Sequence, residues 1–150
     1  MPAESEKSNE SPEWFDAWRG VLFAHGQVIR AVEKYLHDTF SLPLSWFDVL
    51  SRLNGAPNNR LRMSELSAAA LFTRSGLTRL VDRIEEAGLV RRERIDGDRR
   101  GINVVLEPEG RKIFRRAFKG HKSVVEGSFA SNLTPRQLRE VGDALLNFWA

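Results

Sequence analysis

The sequence predicts a mostly α-helical chain with a small β wing, an α+β fold. Three observations predict it. Apolar residues recur at helical spacing over long stretches before Thr39, between Leu77 and Ile84, and after Pro108. The spacing changes to two between Leu89 and Leu106, around the turn Asp96-Gly97-Asp98-Arg99-Arg100-Gly101. Glycines and prolines punctuate the segments where helices should stop and start.

Residues 1–10 read as a disordered polar tail, because Ser, Glu and Pro dominate them. A helix should run from Ser11 or Pro12 to Thr39, with Ser11 as cap, Pro12 in the first turn, and Glu13 and Asp16 at the positive end. Its apolar surface, from Trp14, Phe15 and Trp18 through Val21 and Leu22 to Tyr35 and Leu36, is wider than one stripe. A thick core contact accounts for part of that width; contact with a second copy of the chain is the preferred reading of the rest. Pro43 keeps Leu42 extended. Ser45 should cap a second helix, Trp46–Asn54, with Phe47, Leu50 and Leu53 inward. A loop follows, and Leu61-Arg62 reads as a short strand beside the wing.

The next stretch is a helix, a turn and a second helix. Ser64 is the expected cap of the first, with Leu66, Ala69 and Ala70 inside and Phe72 plugging the turn. In the second, Leu77, Leu80, Val81 and Ile84 share one stripe, opposite Ser75, Arg79, Asp82 and Glu86. Thr73 or Ser75 should cap its start, and Gly88 should end it. Its first turns then present Arg74, Ser75, Thr78 and Arg79, hydroxyls and guanidiniums suited to base edges and phosphates. In the hairpin that follows, Ile102, Val104 and Leu106 alternate on the return strand, and two arginines mark the tip. Helix, turn, helix and hairpin together form a winged helix-turn-helix, whose second helix enters the major groove. From Pro108 a helix should reach about Leu133, with a bend allowed at Gly120 or Gly127. Thr134-Pro135 should start a last helix that buries Leu138, Val141, Leu145, Leu146 and Phe148 or Trp149.

Three blocks carry a resemblance: Leu77-Thr78-Arg79-Leu80-Val81-Asp82-Arg83-Ile84-Glu85, then Ala87-Gly88-Leu89-Val90-Arg91-Arg92, then Asp98-Arg99-Arg100-Gly101. In order and spacing they resemble the MarR family of bacterial transcriptional regulators. The motif covers about a third of the chain, and the helical flanks extend the likeness over residues 11–150. The resemblance implies a single domain. Residues 11–44 and 108–150 would be dimerisation helices, and residues 45–107 a winged helix-turn-helix DNA-binding lobe. It implies a homodimer on a palindromic double-stranded DNA operator, usually a repressor, with many members released by a small ligand or by oxidation. It also implies that Asp98 orients Arg100. Two departures stand out: the wing has Asp96-Gly97 without the proline common before the acidic residue, and Glu107-Pro108 replaces a threonine cap.

Composition agrees with one globular domain: 150 residues, 41% apolar. No apolar run is long enough to span a membrane, and the start of the chain lacks a signal peptide's apolar core, so the expectation is a cytoplasmic protein without a membrane partner. With no cysteine, thiol-based peroxide sensing is excluded. The net charge of +3 is unevenly placed: residues 74–119 hold 13 Lys+Arg against 8 Asp+Glu, a local excess of +5. That is the electrostatic footprint of a nucleic-acid face.

No phosphate-binding loop, nucleophile elbow or metalloprotease motif appears, so no enzyme, cofactor, catalytic residue or metal site is expected. Glu85-Glu86 reads as solvated surface. His25, His37 and His121 read as ordinary core or surface residues. The DNA-binding set is Arg74, Ser75, Thr78, Arg79 and Arg83 on the second helix, with Asp98, Arg99 and Arg100 on the wing. Trp14, Trp18, Arg19, Trp46 and Asp48 are the candidates for a small aromatic or anionic effector, although core packing is the default for aromatics. The alternative function is a winged-helix module that binds protein; the five arginines 74, 79, 83, 99 and 100 argue against it.

Overall fold

The computed structural model describes residues 12–69 and 74–148. The expectations for the tail 1–10, for Ser11, Ala70, Phe72, Thr73 and Trp149, and for the side chains of Ala69 and Arg74, lie outside the described residues. The elements are α1 (Glu13–Phe40), α2 (Leu44–Gly55), β1 (Arg60–Arg62), α3 (Met63–Ala69), α4 (Arg74–Glu86), β2 (Val90–Ile95), β3 (Asp98–Leu106), α5 (Pro108–Ser128) and α6 (Pro135–Leu145).

The first helix stops by folding back on itself. Ser41 takes a left-handed conformation, φ 49°, and the Leu42 N–H donates to the Leu36 carbonyl at 3.2 Å. This closes the orphan carbonyls of α1 and turns Leu42 into the core beside Leu36. Helix α2 then begins one residue before the expected Ser45 cap. The Pro43 carbonyl accepts the N–H groups of Trp46 and Phe47, so Ser45 lies within the first turn. Phe47, Leu50 and Leu53 are buried as the spacing predicts, and Val49 is buried with them. Likewise Ser64 is not the cap of α3. The helix starts at Met63, and the Glu65 carboxylate accepts the Arg62 N–H at 2.7 Å.

The sheet is antiparallel in the order β1-β3-β2. Leu61 and Arg92 flank Val104 on one face, while Arg60 and Arg91 flank Val105 on the other. The return strand departs from simple alternation. Val104, Val105 and Leu106 are all buried, whereas Ile102 is 38% exposed. Toward Leu106 the strand packs one face against α2, and β1 and β2 flank its two edges. On its outer face the ion-paired side chains of Arg60, Arg91 and Glu93 surround Val105.

Helix α5 runs without a break past Gly120, and ends at Ser128, short of the expected Leu133. Gly120 makes room for Tyr35, since a Cβ there would overlap the phenol ring. The Tyr35 hydroxyl donates to the Ala117 carbonyl at 3.3 Å, joining α1 to α5. Past Ser128, Ser131 Oγ and Asn132 Nδ2 donate to the carbonyls of Gly127 and Ser128, which a continuing helix would pair with backbone N–H groups. Thr134 and Gln137 form a full capping box at the start of α6. The burial expected of α6 is not reached within one chain. Leu138, Val141 and Leu145 are half-buried, and Phe148 is 83% exposed.

His121 stacks on Phe118 and faces Phe47, with ring centroids 5.8 and 5.3 Å away. Its Nδ1 is buried without a hydrogen-bond partner among the described residues. Burial holds its pKa below the usual 6.5. The folded state therefore favours the neutral ring. That contribution to stability is intact above about pH 6.5 and is lost as the pH falls through the imidazole range toward the lower folded value. Thermal melts from pH 8 to pH 5 should show the wild type losing stability, relative to His121→Phe, only below about pH 6.5. A constant difference across that range would contradict the assignment. At Gly110 a Cβ would overlap the Leu89 carbonyl oxygen, which is backbone and cannot step aside. Gly110→Ala should cost about 2 kcal/mol or more in chemical denaturation.

Candidate nucleic-acid interface

Leu77, Val81 and Ile84 of α4 are fully buried, against α2 and the sheet, with Leu80 half-buried at the margin. A helix held by one stripe must show the opposite one. Ser75, Thr78, Arg79, Asp82, Arg83 and Glu86 are accordingly exposed. The helix begins at Arg74, so Ser75 belongs to its first turn and is not the cap. Gly88, at φ +73°, ends it where expected.

The wing carries Arg94, Arg99 and Arg100, all exposed. The register shifts between Arg94 and Ile95, and Gly97 turns the chain with φ +80°. Asp98 departs from the expectation. One of its oxygens accepts the backbone N–H of Arg100 at 3.0 Å, and the other meets the guanidinium of Arg62 at 3.4 Å. The short carboxylate bonds its own backbone two residues on, as aspartate does in turns, and its ion-pair partner comes from β1. The Arg100 guanidinium is left without an ion pair among the described residues. The same holds for Arg79, Arg83, Arg94 and Arg99, whereas Arg60, Arg62, Arg91 and Arg92 each have an acidic partner. Uncompensated positive charge thus gathers on the exposed stripe of α4 and the wing. Between them lies a groove of about 390 Å³, lined by Ser64, Ser67, Thr78 and Arg100 among others.

Sequence reasoning misses two residues of this region. Arg62 pairs with the wing. Arg92 faces the body of the protein and bonds to α4. The signal for Arg92 is its parity: Val90, Arg92 and Arg94 share a face, so a charged residue beside Val90 needs acids opposite it. Glu85, which with Glu86 reads as surface, supplies one of them.

The effector candidates separate within the chain. Trp14 (68% exposed), Trp18 (52% exposed) and Arg19 lie near the start of α1. Arg19 reaches Asp16 at 3.7 Å. Trp46 is half-buried against the core. Asp48 accepts a bond from Arg52 at 2.9 Å and lines an open cleft of about 690 Å³ with Ile29, Glu33, His37 and Leu42. Trp18 is about 16 Å from Ile29 along the helix, so one chain does not bring the tryptophans into that cleft. Among the described residues no group of three or more metal-binding side chains occurs, and no helix is long and apolar enough to cross a membrane.

Comparison with known proteins gives consistent matches. Residues 40–101 fit the sequence pattern described as MarR family. The HTH-type transcriptional regulator PecS of Dickeya dadantii is 36% identical over 96 residues, 63% of this chain and 57% of PecS. The chain thus spans little more than half of that relative's length. AbsC, a MarR family transcriptional regulator from Streptomyces coelicolor, superposes with a TM-score of 0.80 at 32% identity, over 92% of this chain and 93% of AbsC. Sco3205, a MarR family regulator from the same organism solved in complex with DNA, gives a TM-score of 0.81 at 32% identity, over 93% and 87% of the two chains.

The Arg62–Asp98 pair is solvent-exposed on both sides and should add little to global stability. Asp98→Ala should leave the stability in urea within about 1 kcal/mol of wild type, yet accelerate hydrogen exchange at the Arg100 amide. Unchanged exchange there would remove Asp98 as the organiser of the wing tip.

Proposed function

This chain belongs to the MarR family of DNA-binding transcriptional regulators, and we propose that it acts as a ligand-responsive repressor gripping a palindromic operator as a homodimer. The observation that carries the reading is the coincidence of exposed polar groups on α4 with ion-pair-free arginines on the wing. Each subunit places one α4 in the major groove, and half-site centres lie about 10 bp apart, one helical turn. Ser75, Thr78 and Arg79 contact bases or adjacent phosphates. Arg74 and Arg83 fix the backbone position. Arg99 and Arg100 sit over phosphates or in a minor groove, where narrow geometry concentrates negative potential. That the similar regulator Sco3205 was solved in complex with DNA supports DNA as the partner.

The homodimer rests on the apolar ends. Trp14, Trp18, Phe23 and Phe148 are largely exposed in a single chain, and pairing α1 and α6 of two copies removes that surface from water. A small aromatic or anionic effector, held between the body and the DNA-binding lobe near Asp48, would favour a head spacing that fits the operator poorly. Its effect equals its differential affinity for the two spacings. Trp14, Trp18 and Arg19 reach such a site only if a second copy supplies them.

The test is binding of the purified protein to a duplex it selects from a random library, titrated over salt. Wild type should sediment as a dimer and protect two half-sites. Arg100→Ala should weaken binding and lower the log–log salt slope by about 1 for each phosphate no longer neutralised. A monomer, or one that retains no duplex at low salt, would overturn the reading, as would an Arg100→Ala titration identical to wild type for the wing.

A further inference from the structure

One side chain joins the wing to the reading helix, and the DNA contacts proposed above do not use it. Arg92 lies on β2 opposite Val104, on the face turned toward the body, and its side chain is 22% exposed. Its guanidinium donates to a Glu85 oxygen at 2.6 Å and meets Asp82 at 2.7 Å. It also donates to the Thr78 carbonyl at 3.2 Å. The Arg92 backbone N–H donates to the other Glu85 oxygen at 2.7 Å. Thr78, Asp82 and Glu85 are spaced by four and three residues, so they form one stripe along about 10 Å of α4.

The arrangement has a mechanical and an electrostatic side. A buried apolar stripe fixes which face of α4 is inward but allows a few degrees of roll, because it is non-directional. A planar guanidinium bonded at three levels of the helix removes that freedom. It also offsets one of the two negative charges of Asp82 and Glu85, carboxylates on a helix that must approach phosphates. We infer that Arg92 is a positioning residue for DNA binding: its fork locks the roll of α4 against the wing, so both elements meet DNA as one rigid unit. The inference rests on the DNA-binding reading above.

Arg92→Met and Arg92→Lys test it by binding to the duplex selected by the wild type, over a salt series, and by hydrogen exchange without DNA. Arg92→Met should lower affinity at least about ten-fold, with a flatter salt slope because the carboxylates it uncovers repel phosphates most at low salt. Amides of α4 and β2 should exchange faster while those of α1 and α5 do not change. Arg92→Lys, which keeps the charge but not the fork, should restore neither the affinity nor the slow exchange in full. Wild-type affinity and exchange in Arg92→Lys would overturn the lock, as would wild-type affinity in Arg92→Lys while its exchange stays fast, the mark of a purely electrostatic role. If Arg92→Met does not fold, Arg92→Lys decides alone. Should the wild type bind no duplex, the DNA reading fails, and the exchange comparison still judges the lock.

Discussion

The burial of Leu77, Val81 and Ile84 is the constraint from which the rest follows. Each fully buried aliphatic side chain contributes about 2 kcal/mol, so the stripe dominates the placement of a helix only 13 residues long. An isolated helix of that length is marginal in water. Its outward face is therefore a by-product of core packing: fixing three apolar residues inward leaves Thr78, Arg79 and Arg83 nowhere to go but out. Substitutions at those positions should have little effect on folding, because none of them belongs to the core.

Directional contacts then refine what apolar contact leaves loose. The wing hangs from β3, the central strand, and is tied at both margins: to β1 by the Arg62–Asp98 pair and to α4 by Arg92. These ties differ in character. The first is exposed and weak. The second is half-buried, multiply hydrogen-bonded and shared between a carbonyl and two carboxylates. The chain thus holds α4 firmly and its wing tip lightly.

Most of the fold is legible in the sequence wherever the signal is periodic. The stripe of α4, the stop at Gly88, the hairpin and its turn, the cap at Thr134 and the short strand at Leu61 follow from local patterns, and the structure has them. Errors fall where a non-local neighbour decides. Val105 is buried because β1 and β2 both flank it, and parity along one strand carries no trace of that. Asp98 bonds its own backbone and Arg62 in preference to the Arg100 guanidinium, a competition set by strand order. Ser45 and Ser64 have good capping chemistry, but the Pro43 carbonyl and the Glu65 carboxylate meet orphan donors of the same kind nearby. The candidate DNA-binding face is legible through Arg79 and the wing arginines; the latch behind it is not, because Arg92 looks like any surface arginine until its parity is counted. The effector site is least legible, since the residues named for it do not meet within one chain.

The joint between α4 and α5 has a further meaning. The Leu89 carbonyl accepts the Glu107 N–H at 3.0 Å and abuts Gly110, so the exit of one helix is pressed against the entry of the next. No slack remains there, and a residue inserted between Gly88 and Val90 would slip β2 against β3 and turn its side chains to the opposite faces. At the Asp96-Gly97 tip the backbone is exposed and adds nothing to the packed body, so added length would extend outward only. Variation in the reach of this protein toward its target is therefore open to drift at the tip and closed at the root.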